Sequence, residues 1–182
     1  MTRQRIIEAT LALSTDHWID EITLDQIAAK AEVTVQTILR HFGSKDGLAA
    51  TAARMGSHAV NQQRNAVIAG DLDDIVANLL DHYEQVGDRV FRTLAQEELF
   101  PQLKEFLQEG RNFHRQWVER VFEPWLGALQ GDARERRIVH LITACDVYTW
   151  KLLRRDLALS SEQYRLTLFE MLTALLSRPP GE

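Results

Sequence analysis

The chain has a single cysteine, Cys145, among its 182 residues. One thiol excludes an internal disulfide framework and suits a reducing compartment, the cytoplasm. Prolines number four and glycines nine, and turn-rich strand signals are scarce, so an all-β chain has little to stand on. No apolar run approaches the length of a membrane span, so no membrane helix is expected. The N-terminal MTRQRIIEATLALS holds Glu8 and Thr10 inside its apolar stretch and has no small-residue cleavage site, so it does not read as a signal peptide. The six histidines form no i,i+4 pair and no HExxH, and Cys145 has no cysteine partner, so no metal is expected. There is no glycine-rich phosphate loop and no GxSxG elbow. Cys145 and His140 lie five helical residues apart, on different faces, and Cys145 reads as a small buried apolar residue. No catalytic residue, cofactor or enzymatic activity is expected.

An excess of positive charge is also missing. The formal net charge is −5. The first 50 residues carry five basic residues (Arg3, Arg5, Lys30, Arg40, Lys45) and seven acidic ones. Any nucleic-acid surface must therefore rest on local geometry. Val33–Lys45 offers Arg40, Lys45 and His41 with no carboxylate, a small basic face.

What the chain has in abundance is helical periodicity. Leu72, Ile75, Val76, Leu79, Leu80, Tyr83, Val86, Val90, Phe91 and Leu94 follow three-and-four spacing along one helix face. Phe113, Trp117, Val118, Val121, Phe122, Trp125, Leu126 and Leu129 repeat it, with a kink or new turn expected at Pro124. Thr23-Leu24-Asp25-Gln26 and Ser160-Ser161-Glu162-Gln163 fit the capping box. Thr34, Ser44 and Asp132 read as simple N-caps, and Gly70, Gly110 and Gly131 as helix ends. The expected fold is all-α with about nine helices, near 3–15, 24–31, 35–42, 45–68, 72–95, 99–109, 111–129, 133–156 and 161–177. The short helices come first. This predicts a three-helix N-terminal domain over 1–46 and a larger helical domain over 47–182.

The informative stretch is TLDQIAAKAEVTVQTILRHFGSK, residues 23–45. A capped helix turns Ile27, Ala28 and Ala31 inward. A tight turn at Glu32-Val33 follows, and Thr34 caps a two-turn helix whose buried side is Ile38 and Phe42. Two short helices joined in this way make a helix-turn-helix. The second fits a major groove about 12 Å wide. Val35, Gln36, Thr37, Leu39, Arg40 and His41 are read as outward positions. Ser44 opens the next helix, where a backbone N–H and Lys45 can hold a phosphate.

In Thr23, Ile27-Ala28, Ala31, Val33-Thr34, Thr37-Ile38, His41-Phe42, Ser44-Lys45 and Gly47-Leu48 the sequence resembles the tetracycline-repressor (TetR) family of bacterial regulators. The resemblance implies a homodimer that sets its recognition helices in successive major grooves of a double-stranded DNA operator. By position, Val35, Gln36 and Leu39 face bases. Thr34, Thr37, His41 and Lys45 contact phosphates, and Arg40 does either. The chain departs from the family's habit at Glu32 and Trp18, where glycine is usual. Leu39 and His41 replace commoner tyrosines, and Asp25 stands where a basic residue often reaches a base.

The later helices carry a heavy aromatic load. Tyr83, Phe91, Phe113, Trp117, Trp125 and Tyr148 are candidates to line a site for a small apolar or aromatic ligand, oriented by His82, His114 or Gln116. The competing reading is an aromatic-rich core. Ile138, Val139, Leu141, Ile142 and the residues to Leu153, with Tyr164, Leu166, Leu168, Phe169, Met171, Leu172, Leu175 and Leu176, leave two helices almost without a polar face. A four-helix bundle with a second copy is the expected cover. The function expected is a sequence-specific DNA-binding regulator, a repressor released by a small molecule. The alternative is a helical small-molecule-binding or enzymatic protein whose N-terminal domain no longer binds DNA.

Overall fold

The computed structural model describes residues 1–18, 21–99 and 103–177, and these form an all-helical architecture without strands. In order they are α1 (Thr2–Asp16), α2 (Leu24–Ala31), α3 (Val35–Phe42), α4 (Lys45–Asn65), α5 (Leu72–Ala95), α6 (Leu103–Val121), the single turn α7 (Glu123–Leu126), α8 (Gly131–Ala144), α9 (Val147–Lys151) and α10 (Ser161–Ser177). A π-helical turn, Leu152–Asp156, continues α9.

The caps are largely those the sequence predicts. Thr23 and Gln26 form a reciprocal capping box at α2. Ser160 and Gln163 do the same before α10, at 2.8 and 3.2 Å. Thr34 and Ser44 accept from the N–H groups of Thr37 and Gly47. Asp132 is no cap, because α8 begins at Gly131 with Gln130 before it. Asp71 and Asp146 cap α5 and α9 instead.

Two helix boundaries differ from expectation. α6 runs through Gly110 without a break, because Leu107, Trp117, Val118 and Val121 share one buried face along it. The expected start of that helix near 99 falls partly on residues 100–102, which lie outside the described residues. The expected helix over 133–156 is divided at Cys145-Asp146, where the Asp146 carboxylate accepts the N–H of Tyr148 and starts α9 afresh. At Pro124 the chain restarts as α7.

Apolar burial falls into two clusters. Ile6, Ile7, Ile22, Ile27, Ala28, Ala31, Ile38, Leu48 and Ala52 hold α1–α3 and the first half of α4 together. The second cluster is built on α5, α6, α8, α9 and α10 around Trp117, Phe122, Trp150 and Tyr164. α4 serves both, with Leu48 and Ala52 in the first and Arg64 buried beside Trp117 of the second. Gly87 of α5 lets Trp150 lie against the helix backbone. A Cβ there would meet the indole at 2.5 Å.

Ile138, Leu141, Tyr164, Leu168 and Leu172 are buried by their own chain, so α8 and α10 are not apolar surfaces all round. Val139, Leu166 and Met171 on the same helices remain exposed, as do Tyr148, Leu152 and Leu157 nearby. Among the described residues no helix is long and apolar enough to cross a membrane.

Candidate nucleic-acid interface

The turn between α2 and α3 is made by Glu32, which sits in the left-handed region at φ 53° and ψ 49°. Its N–H and that of Val33 return to carbonyls of the last turn of α2, so the reversal closes within three residues. A non-glycine residue there costs about 1 kcal/mol. The Glu32 carboxylate lies 3.6 Å from Arg5 of α1, both well exposed. That pairing offsets part of its negative charge.

α3 is anchored by Ile38, fully buried, and by Phe42, half-buried against the N-terminal cluster. Gln36, Leu39, Arg40 and His41 are exposed on the opposite side. Thr34 is exposed. Its hydroxyl accepts the Thr37 N–H at 3.2 Å and lies 3.0 Å from the Thr37 hydroxyl. Val35 departs from the expectation of an outward side chain. It is half-buried against the N-terminal cluster, because 35, 38 and 42 follow helical spacing and fall on the inner face.

The junction to α4 is tight. Ser44 caps it, and a Cβ on Gly47 would meet the carbonyl oxygen of Phe42 at 2.3 Å, so only glycine lets the two helices approach this closely. Lys45, half-buried, stands in the first turn of α4, where backbone N–H groups and the helix dipole favour an anion. A cation the sequence reading left out joins this edge. Arg3 of α1 places its guanidinium 5.4 Å over the ring of Phe42. Thr34, Gln36, Thr37, Arg40, His41, Lys45 and Arg3 thus come to one end of the molecule, where Asp25 is exposed on α2.

The six aromatic residues read as a ligand site are not brought to one cavity. Tyr83 and Trp117 are buried in the C-terminal core and flank Arg64. Trp125 packs on Phe122, 5.9 Å between centroids. Phe91 and Tyr148 meet edge to face at 5.7 Å, with the Lys151 ammonium 4.9 Å from the Phe91 ring, and Tyr148 is 55% exposed. Phe113 is half-buried. They are spread because α5 and α6 face several neighbours at once.

The polar groups gather more closely than the aromatic ones. His114 and Arg64 are 3.1 Å apart, and the His114 Nε2 lies 3.5 Å from the Ile142 carbonyl. Burial, reinforced by Arg64, pushes the His114 imidazole down to about 3. Burial, with Arg64, His114 and Arg89 adding, pushes His82 down to about 2. Both are neutral imidazoles at ordinary pH. Burial also pushes the Cys145 thiol up to about 12, so it is no nucleophile. Gln116 is exposed.

These elements define a helix-turn-helix protein of the DNA-binding class. Residues 6–52 match the family described as bacterial regulatory proteins, tetR family. Solved structures of similar fold include a transcriptional regulator from Rhodococcus sp. Rha1, with a TM-score of 0.76 at 16% identity, covering 97% of this chain and 96% of that one. A TetR-like transcriptional regulator from Rhodococcus sp. RHA1 gives a TM-score of 0.66 at 16% identity, covering 97% of each. A TetR-family regulator from Streptomyces coelicolor A3 gives 0.52 at 16% identity, covering 97% and 95%. These likenesses are of fold. No curated protein matches the chain in sequence. The match over residues 6–52 gives the chain the N-terminal DNA-binding domain of the tetR family of bacterial regulatory proteins.

Proposed function

We propose that this regulator is a cytoplasmic homodimeric repressor that reads an operator with α3 and is released when a small molecule binds its C-terminal domain. The observation that carries the DNA-reading half is the face of α3. Gln36, Leu39, Arg40 and His41 stand in solvent on a helix pinned from behind by Ile38, with no carboxylate between Val33 and Lys45. Gln36 lies at the start of the helix, where side chains meet base edges and an amide pairs bidentately with adenine. Arg40, Lys45 and Arg3 supply the electrostatic part, with Thr34, Thr37 and His41 toward the backbone. Val35 supports the helix from within and reaches a base only by its exposed edge. The Arg5 contact of Glu32 favours this reading over a domain that no longer binds DNA.

Dimerisation is assigned to α8 and α10, where Val139, Leu166 and Met171 are exposed apolar groups on helices otherwise committed to the core. Removing them from water by mutual contact is the cheapest cover. α4 joins the two halves, so a ligand that shifts its C-terminal end moves the DNA-reading helix at its N-terminal end.

The test is salt-dependent binding to the DNA upstream of its own reading frame. Lys45→Ala weakens binding to all sequences alike and lowers the salt slope by about one unit per half-site. Gln36→Ala costs about 1–3 kcal/mol on the cognate site and little on random DNA. If both variants bind as the native protein does, the reading surface lies elsewhere.

A further inference from the structure

We propose that Arg64 is the receptor for the carboxylate of a small aromatic acid, seated between α4, α5 and α6. This rests on the ligand-controlled reading above and deepens it by naming the ligand's chemistry.

Arg64 lies in the last turn of α4 and is 3% exposed. Among the described residues no carboxylate lies within ion-pair distance of it, and its Nε is buried without a hydrogen-bond partner. A buried cation without a counter-ion is among the most costly arrangements in a protein interior. The groups that do face it bring no negative charge. They are the Nδ1 of His114 at 3.1 Å, the Trp117 ring at 3.8 Å and the Tyr83 ring at 6.0 Å. His114 and His82 are held neutral. Arg64 does act on the Asp146 carboxylate. That carboxylate spends an oxygen on the Tyr148 N–H, and Arg111 acts on it more strongly than Arg64 does. His82 stands in the fields of Arg64 and Arg89 together.

The structural duty of this position belongs to its backbone. The Arg64 carbonyl receives the Trp117 Nε1–H at 2.8 Å and an Arg120 N–H at 3.2 Å. Any residue supplies that carbonyl. Among the described residues the guanidinium meets only neutral partners, His114, Trp117 and Tyr83, and its planar fork is the shape that pairs with a carboxylate. The Trp117 and Tyr83 rings packed beside the guanidinium are the surfaces an aromatic body would meet once His114 is displaced. The carboxylate takes the place His114 holds at Arg64, and the pull on the last turn of α4 is carried to its first turn beside α3.

The test uses the full chain and three acids, benzoate, phenylacetate and cinnamate, each beside its primary amide at equal concentration. Thermal shift and tryptophan fluorescence are read together. At least one acid should raise Tm saturably while its amide does not. Arg64→Met should lose that acid's affinity tenfold or more, with an apo Tm no lower than the native one, since it removes an uncompensated charge. Arg64→Lys, which keeps the charge without the fork, should fall between. If no acid shifts Tm, if amides act like acids, or if Arg64→Met binds as before, the proposal is overturned. Should Arg64→Met fail to fold, the acid-against-amide comparison on the native chain and Arg64→Lys still decide. DNA release is measured separately. An acid held by Arg64 that leaves DNA binding unchanged upholds the anion site and removes the ligand-controlled reading.

Discussion

At the scale of single residues, the cost and the use of a side chain separate cleanly at Glu32. Its backbone is left-handed at φ 53°, where a Cβ meets steric resistance that glycine avoids. Among the described residues its side chain makes only the exposed ion pair with Arg5, worth at most about 1 kcal/mol. Glu32→Gly should therefore leave the fold intact and raise the denaturation midpoint, by up to about 1 kcal/mol. It should also tighten DNA binding without changing base preference, because a carboxylate leaves the DNA-facing end. Urea titration and fluorescence anisotropy read the two effects. A lower midpoint would show that the Arg5 contact outweighs the strain. The position was legible in sequence as a tight turn. Val35 was not read correctly, although its spacing to Ile38 and Phe42 was the available signal. Arg3 over Phe42 was illegible, because nothing local says where the first turn of α1 lies relative to the end of α3.

At the scale of elements, α6 shows how little a glycine reveals alone. Gly110 reads as a helix end, yet it lies inside α6, exposed, with open space where a Cβ would go. Its lack of a side chain serves no close approach. Gly110→Ala should raise stability by about 0.5–1 kcal/mol through reduced unfolded-state freedom, measured as a shift in denaturation midpoint with unchanged slope. The converse holds at Gly87, where the Trp150 indole fills the missing Cβ. The two glycines are alike in sequence and opposite in role. The partner helix decides which is which.

At the scale of the whole molecule, Leu172 and Leu166 answer different questions. Leu172 is fully buried in its own protomer, so a charge there unfolds the chain and reports nothing about assembly. Leu166 is 59% exposed. Leu166→Arg should keep the helical content and turn a micromolar dimer into a monomer, an affinity loss of about 2–3 kcal/mol counted over both copies. Light scattering on the two proteins settles it, and a native monomer would end the dimer assignment.

The two histidines of the C-terminal core give a second global signature. His82 and His114 are held near 2 and 3, against an ordinary value of 6.5. As pH falls through 6.5 the unfolded chain takes up these protons and the folded chain does not. Stability is therefore greatest above 6.5 and declines as pH falls from about 6.5 toward the folded values near 3 and 2, by at most about 1.4 kcal/mol per pH unit for each histidine. His114→Asn should flatten that slope by about one proton's worth, as read from urea melts at pH 7, 6 and 5. An unchanged slope would mean that His114 protonates in the folded chain.

The sequence by itself determined the helical class, the two capping boxes, the helix-turn-helix and, Val35 apart, the residues on its outer face. Each of these depends on spacing within about ten residues, and a helix of eight residues has its inner and outer sides set by its own period. Tertiary structure alone decided which aromatic residues became core and which remained on the surface. It also decided that α8 and α10 bury only part of their apolar residues within one protomer, and that Arg64 ends among Trp117, His114 and Tyr83 without a carboxylate within ion-pair distance among the described residues. Those outcomes are set by contacts fifty or more residues apart, and a helix period says which side of a helix is buried but not what buries it.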